Sequence, residues 1–182
     1  MQVRKSVRMA LLGATAMIGV GSALDSVAYT GTTSGNLNVT ATVVDSCTFG
    51  AGTLAFGNYD PTAAATTPVT GTITVTCTSG DSIGIDLGQG SNAATGSSAT
   101  VPLRQMKDGG TDVLAYTLFQ PTASGAGGTI TTTLWGATGS ARFVYTATGA
   151  SPETINVFGQ ITALQAVPAG AYTDTVAVTV NY

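Results

Sequence analysis

The sequence has no histidine and few charged residues, which limits the chemistry that it can perform. Without imidazole, a histidine-based catalytic triad, a histidine metal site and a pH switch near neutrality are all excluded. Charged residues make up only 8% of the chain, far below their share in an average domain. Six basic residues against nine acidic ones also argue against nucleic acid, whose phosphates require clusters of Lys and Arg. We therefore predict a structural protein with no catalytic residues, no cofactor, no metal site and no nucleic-acid partner.

The N-terminus has the pattern of a secretory signal peptide. Arg4, Lys5 and Arg8 precede an uncharged, mostly apolar stretch that ends near residue 23 and is too short for a transmembrane helix. Small residues at positions 26 and 28 predict cleavage after Ala28, and cleavage after Ala23 is the alternative. We assign residues 1–28 to the signal peptide and expect a secreted protein.

Both cysteines, Cys47 and Cys77, lie beyond this signal peptide. In the oxidising compartments that exported proteins enter, two cysteines favour a disulfide bond. They lack the C-x-x-C spacing of a catalytic dithiol, and two thiols without imidazole are too few ligands for a zinc site. We predict a structural disulfide between Cys47 and Cys77.

The rest of the chain alternates apolar and polar residues with a period of two, which is typical of β-strands. No stretch after the signal peptide shows sustained helical spacing, and the 24 glycines would weaken a long helix. Uncharged stretches rich in Gly, Ser and Ala, at 88–100 and 124–128, predict surface loops. Many short strands joined by such loops predict an all-β antiparallel sandwich. The predicted strands are 36–43, 54–59, 72–77, 83–87, 101–106, 113–119, 141–147, 154–164 and 172–182.

The two ends of this sandwich suggest that one strand is missing. The last predicted strand, 172–182, is followed by no turn and no further strand. One of its faces carries Asp174 together with Tyr172, Val176, Val178, Val180 and Tyr182. The segment before Cys47 also alternates. It is either an ordinary first strand or a strand that one molecule supplies to its neighbour.

Several motifs of the chain resemble the spore coat U domain family, the subunit type of archaic chaperone-usher pili such as Csu pili. The most specific motif is the C-terminal Gly-x-Tyr-x-Asp-x-Val-x-Val-x-Val pattern that begins at Gly170. The others are Leu54-Ala-Phe56-Gly57, Arg104-Gln-Met106 and Leu114-Ala-Tyr116-Thr-Leu118-Phe119. The likeness covers essentially the whole mature chain. The chain departs from the family after Phe119, where Gln120-Pro121 follows and an acidic residue is common.

This resemblance implies an incomplete immunoglobulin-like sandwich over residues 47–182, completed by a donor strand from the segment 29–46 of a neighbouring subunit. The donor residues that we expect to be buried are Leu37, Val39, Ala41 and Val43, with a shallow pocket opposite Ala41. The acceptor groove is expected to be flanked by the last strand, through Tyr172, Val176, Val178, Val180 and Tyr182. Such head-to-tail contacts do not close, so they produce filaments.

The same resemblance implies the partners and the location of the protein. A periplasmic chaperone and an outer-membrane usher would act during assembly, and a tip adhesin subunit would end the filament. The chain would pass through the periplasm and become the shaft of an extracellular pilus that supports surface adhesion and biofilm formation. It is expected to be a shaft subunit because its mature length leaves no room for the second domain that tips usually carry.

Three other functions compete with this interpretation. An outer-membrane β-barrel is suggested by the terminal Tyr182, although aromatic residues, at 7%, are few for the girdles of a barrel. A monomeric secreted binding module would fold its N-terminal strand into its own sandwich. A hydrolase that uses a carboxylate pair is the weakest alternative.

Overall fold

A computed structural model describes residues 30–182, so the predicted signal peptide lies outside the described residues. The chain divides into two units, residues 1–41 and 42–182. Residues 30–41, the described part of the first unit, contain no helix or strand, and their side chains are exposed. The second unit is built from β-strands. No helix in the described part of the chain is both long and apolar enough to cross a membrane.

The second unit contains two antiparallel sheets. The large sheet has the order β1-β2-β8-β5-β4, and β6 pairs with β5 beside this path. The small sheet has the order β7-β3-β9. A single turn of 3-10 helix, Gly139–Ala141, precedes β7. The strands are β1 (Cys47–Thr53), β2 (Val69–Cys77), β3 (Ser82–Leu87), β4 (Arg104–Lys107), β5 (Val113–Pro121), β6 (Ile130–Leu134), β7 (Phe143–Thr146), β8 (Glu153–Ile161) and β9 (Val178–Asn181).

Side chains from both sheets meet in one apolar core, so the predicted all-β sandwich is confirmed. In β2, the alternating residues Ile73, Val75 and Cys77 are buried, as their period of two predicts. Trp135, directly after β6, lies at the centre of the core with no exposed surface. Its indole N–H donates a hydrogen bond of 2.9 Å to the carbonyl oxygen of Ile85, which satisfies the one polar group of this side chain.

The predicted strand at 54–59 is wrong, because the first strand is β1 and ends at Thr53. Strand β1 does not alternate between apolar and polar residues and contains Gly50 and Gly52, so the sequence pattern did not predict it. Gly52 lies so close to β2 that a Cβ atom there would overlap the carbonyl oxygen of Thr72. Only a residue without a side chain permits this close approach. It coincides with a shift in the pairing register between Gly50 and Thr53.

The disulfide between Cys47 and Cys77 is present, and it joins two residues that are direct partners in the β1–β2 ladder. Apart from Cys47, which is half-buried, the described side chains of β1 are exposed. The disulfide therefore fixes an edge strand that contributes little to the core. This strand leads directly into residues 54–56.

The predicted strands differ from the structure at three further places. The strand predicted at 36–43 does not form, since 30–46 contains no strand. Strand β6 was missed because its sequence, Ile-Thr-Thr-Thr-Leu, does not alternate with a period of two. The strand predicted at 172–182 is confined to β9, preceded by one bridge from Thr173 to Lys107 of β4. This segment starts on the large sheet and ends on the small sheet, so neither sheet pairs with it along its whole length.

Candidate functional site

The sandwich has a groove that opens into its core along the C-terminal segment, residues 172–182. A cavity of about 450 Å³, here called the central cavity, lies in this groove. One wall is formed by residues 52–56, and the other is formed by residues 172–178. The floor consists of core side chains from both sheets, namely Ile73, Leu87, Met106, Tyr116, Leu118 and Val157. These floor side chains are buried, and each exposes 9% or less of its surface.

A second cavity, of about 520 Å³, adjoins the central one. It is lined by residues 54–59 on one side and by residues 167–170 on the other, with Ile161 and Leu114 between them. The two cavities share four lining residues, Leu54, Phe56, Met106 and Tyr172. Phe56 packs edge-on against Tyr116, with 5.6 Å between the ring centroids. We call the boundary between the two cavities, formed by the four residues that they share, the constriction.

The C-terminal segment presents an unpaired backbone edge. The carbonyl oxygens of Thr175 and Ala177 accept hydrogen bonds from the N–H groups of Ser91 and Gly88, at 3.0 and 2.8 Å. Strand β9, which follows, pairs with β3 alone. Because successive residues of an extended strand point their N–H and C=O groups to opposite edges, those of 176, 178 and 180 point away from these partners. No described residue pairs with them there.

Asp174, on the groove wall, forms hydrogen bonds with the loop residues Ser91 and Asn92 and with Tyr116 of the floor. Its Oδ1 accepts hydrogen bonds from the N–H groups of Ser91 and Asn92, at 2.9 and 3.2 Å, and from the side-chain amide of Asn92 at 3.2 Å. Its Oδ2 accepts a hydrogen bond of 2.7 Å from the hydroxyl of Tyr116 on β5. Burial is the main cause that raises the pKa of Tyr116 well above its ordinary value, and the hydrogen bond to Asp174 raises it further. The stretch 88–100, predicted as a free surface loop, is therefore anchored at its start.

Arg104 lies behind this wall with 2% of its surface exposed. Its guanidinium donates hydrogen bonds to three main-chain carbonyl oxygens, those of Leu87 at 2.9 Å, Gly88 at 2.6 and 2.9 Å, and Trp135 at 2.7 Å. Burial lowers the pKa of Arg104 to about 10, which leaves the side chain charged at neutral pH. The cation thus links β4 of the large sheet to the end of β3 in the small sheet.

The predicted donor residues are all exposed in the single chain. Leu37, Val39 and Val43 expose 87%, 79% and 82% of their surface, and Ala41 is exposed as well. Val44, which the alternation places on the opposite face, is also 72% exposed. Such a row of large apolar side chains in water is unfavourable unless another surface covers it.

The predicted acceptor residues divide into two groups. Tyr172, Val176 and Val178 line the central cavity. Val180 is half-buried but is not among the lining residues, and Tyr182 is 62% exposed. The sequence pattern does not predict that the floor of the groove or the opposite wall at 52–56 belongs to this site. The motif Leu54-Ala-Phe56-Gly57 was the available signal for that wall.

The fold and the groove define an immunoglobulin-like β-sandwich that is open along one edge. Residues 33–179 match the family model of the Spore Coat Protein U domain. The chain is also 35% identical to Protein U of Myxococcus xanthus, over 92% of this chain and 97% of that protein. The chain therefore belongs to the Spore Coat Protein U domain family, as the sequence resemblance predicted.

A solved structure has a similar fold. It is the crystal structure of the CsuC–CsuE chaperone–tip adhesion subunit pre-assembly complex from archaic chaperone-usher Csu pili of Acinetobacter baumannii. The match to a chain of this complex has a TM-score of 0.51 and 23% sequence identity. It covers 78% of the present chain but only 40% of that chain, so this protein spans about two fifths of its length. At this level of identity, the comparison shows the fold.

Proposed function

We propose that this protein is a non-enzymatic structural subunit of an extracellular pilus, assembled head to tail by donor-strand complementation. In this proposal, residues 29–46 of one subunit lie in the groove of the next. The family membership and the likeness to a chain of a chaperone–pilus subunit complex support this class of function.

The observation that carries the proposal is the open groove beside an unpaired strand edge. The outward N–H and C=O groups of 176, 178 and 180 are positioned to accept a further strand. Main-chain pairing of this kind contributes roughly 0.5 to 1.5 kcal/mol per hydrogen bond. The side chains of the incoming strand would enter the two cavities at alternate positions, as in other cases of strand addition.

Every second side chain from Leu37 to Val43 in the exposed N-terminal segment is apolar, as a strand that fills this groove requires. Burying three larger side chains, those of Leu37, Val39 and Val43, contributes on the order of 5 to 9 kcal/mol. We place Leu37 and Val39 in the central cavity, Ala41 at the constriction and Val43 in the second cavity. This order runs antiparallel to the C-terminal segment, and antiparallel pairing is slightly more stable per residue than parallel pairing. Ala41, the smallest of the four, then lies at the constriction between the two cavities.

The proposal includes the partners that an open groove requires. An open groove and an unpaired strand edge promote aggregation, so a periplasmic chaperone would cover the groove until assembly. An outer-membrane usher would then exchange the chaperone for the donor segment of another copy. A tip adhesin subunit would complete the filament, whose cellular role would be surface adhesion and biofilm formation.

Three single substitutions test the donor assignment. Val39→Asp places a carboxylate in an apolar cavity at a cost of several kcal/mol, which lowers the affinity more than hundredfold. Ala41→Phe adds a ring at the position where the pocket is expected to be shallow. We expect both variants to abolish filaments in electron micrographs of material sheared from producing cells.

Thr40→Asp is the matched control, because it adds the same charge to the opposite face of the segment. It should assemble normally. Normal filaments from Val39→Asp, or equal loss from Val39→Asp and Thr40→Asp, would show that this face is not the donor. A wild-type protein that purifies as a stable monomer and never associates would favour a secreted binding module instead.

A further inference from the structure

We propose that Asp174 holds the groove open before a donor strand arrives, and so acts as a positioning residue for strand capture. This inference rests on the proposed function and adds to it a role for one residue of the C-terminal motif. The Asp174 bracket is defined here as Asp174 together with its partners Ser91, Asn92 and Tyr116.

The bracket reinforces a wall that main-chain hydrogen bonds also hold, from the N–H of Ser91 to Thr175 and from the N–H of Gly88 to Ala177. Between its bridge to β4 at Thr173 and the start of β9 at Val178, the C-terminal segment belongs to no strand. Within this stretch, the side chain of Asp174 joins β5, through Tyr116, to the loop that follows β3, through Ser91 and Asn92. Its four hydrogen bonds add to those main-chain contacts and connect the wall to the core side chain of Tyr116.

The local backbone is adapted to the bracket. Gly90 has a φ of +86°, a conformation that favours glycine, and a Cβ atom there would overlap the carboxylate of Asp174. The turn that presents the N–H groups of Ser91 and Asn92 therefore leaves room for this side chain. Charged acceptors form stronger hydrogen bonds than neutral ones, so a carboxylate is well suited to this position.

A wall that is already in place reduces the cost of binding. If the segment 172–178 moved freely, only a fraction of molecules would present the groove, and the apparent affinity would fall by that fraction. Ordering the wall during capture would also slow the reaction. Loss of the bracket should therefore impair donor capture more than its effect on the stability of the fold would explain.

The experiment measures capture of a labelled synthetic peptide of residues 36–46 by the full chain. The freshly refolded protein is kept dilute so that copies do not associate, and fluorescence anisotropy gives the association rate constant. We expect Asp174→Ala to lower this constant about tenfold. Asp174→Asn keeps an oxygen that accepts the loop N–H groups, and should remain within about threefold of the wild type.

Glu153→Ala is the matched control. The carboxylate of Glu153 also anchors a loop, by accepting a 2.8 Å hydrogen bond from the N–H of Thr148 and a second one from its hydroxyl, but it does not line the groove. Its capture rate should stay within about twofold of the wild type. Equal slowing of Asp174→Ala and Glu153→Ala would overturn the inference, and so would a wild-type rate for Asp174→Ala.

If Asp174→Ala does not fold, Tyr116→Phe decides the question, since it removes one hydrogen bond of the bracket. A rate about threefold lower supports the inference, and an unchanged rate overturns it. A wild-type chain that never captures the peptide would instead contradict the proposed function. The two failures are therefore distinguishable.

Discussion

Removal of the disulfide is expected to destabilise the protein through β1. The perturbation is the double substitution Cys47→Ala with Cys77→Ala, which leaves the cross-strand pair without its covalent link. Strand β1 is an edge strand whose described side chains, apart from Cys47, are exposed. It therefore has little apolar burial to keep it in place once the link is lost.

The expected magnitude follows from the length of chain that the disulfide closes. The two cysteines are 30 residues apart. The chain-entropy relation for a loop of this length gives a loss of about 3.6 kcal/mol in the free energy of unfolding. With a urea dependence of about 2 kcal/mol per molar, the midpoint should fall by about 1.8 M.

Urea unfolding of the dilute subunit, followed by the fluorescence of the buried Trp135, measures this change. Hydrogen exchange should also show that the amides of β1 open before those of β2 and β8. The reasoning would be refuted by a midpoint that falls by less than about 0.5 M. It would also be refuted if β1 kept the protection of the central strands after both cysteines are removed.

Two further predictions concern the polar groups behind the groove. Arg104→Met should lower the free energy of unfolding by about 3 kcal/mol, because three buried carbonyl oxygens lose their hydrogen-bond donor. A loss below about 1 kcal/mol in urea unfolding would contradict this prediction. Tyr116→Phe should change the alkaline behaviour, since the folded pKa of Tyr116 is raised above its unfolded value near 10. The contribution of this tyrosine is complete below about pH 10 and is lost as the pH rises further, so the wild type should lose stability relative to Tyr116→Phe there. Urea unfolding of both proteins at pH 8 and pH 11 measures this difference, and a constant difference would contradict it.

The sequence predicted those elements whose local pattern agrees with their burial. Ile83, Ile85 and Leu87 alternate in the sequence, and all three are buried in β3. The glycine and aspartate between them, Gly84 and Asp86, are covered as well, because Arg142 lies over Gly84 and pairs with Asp86 at 2.6 Å. That second contact depends on a residue 56 positions further along the chain, so the pattern of β3 alone did not predict it.

The parts of the site that the sequence did not predict depend on contacts between distant residues. Gly50 and Gly52 disfavour a strand locally. Residues 47–53 nevertheless form strand β1, because they pair with β2. The hydrogen bonds of Asp174 reach Tyr116 and Ser91, 58 and 83 residues away, and no local pattern reports such distances. The C-terminal motif showed that Asp174 interrupts an apolar face. Only the fold shows which groups this carboxylate binds.

The groove and the exposed segment belong to the same chain, and this has a consequence for any linear assembly. However many copies join, one terminus keeps an unused segment and the opposite terminus keeps an empty groove. A filament assembled in this way would therefore have a polarity, and its two ends would need different partners. One end would require a protein that offers a groove without donating a segment, while the other would require a protein that covers a groove until the next copy arrives.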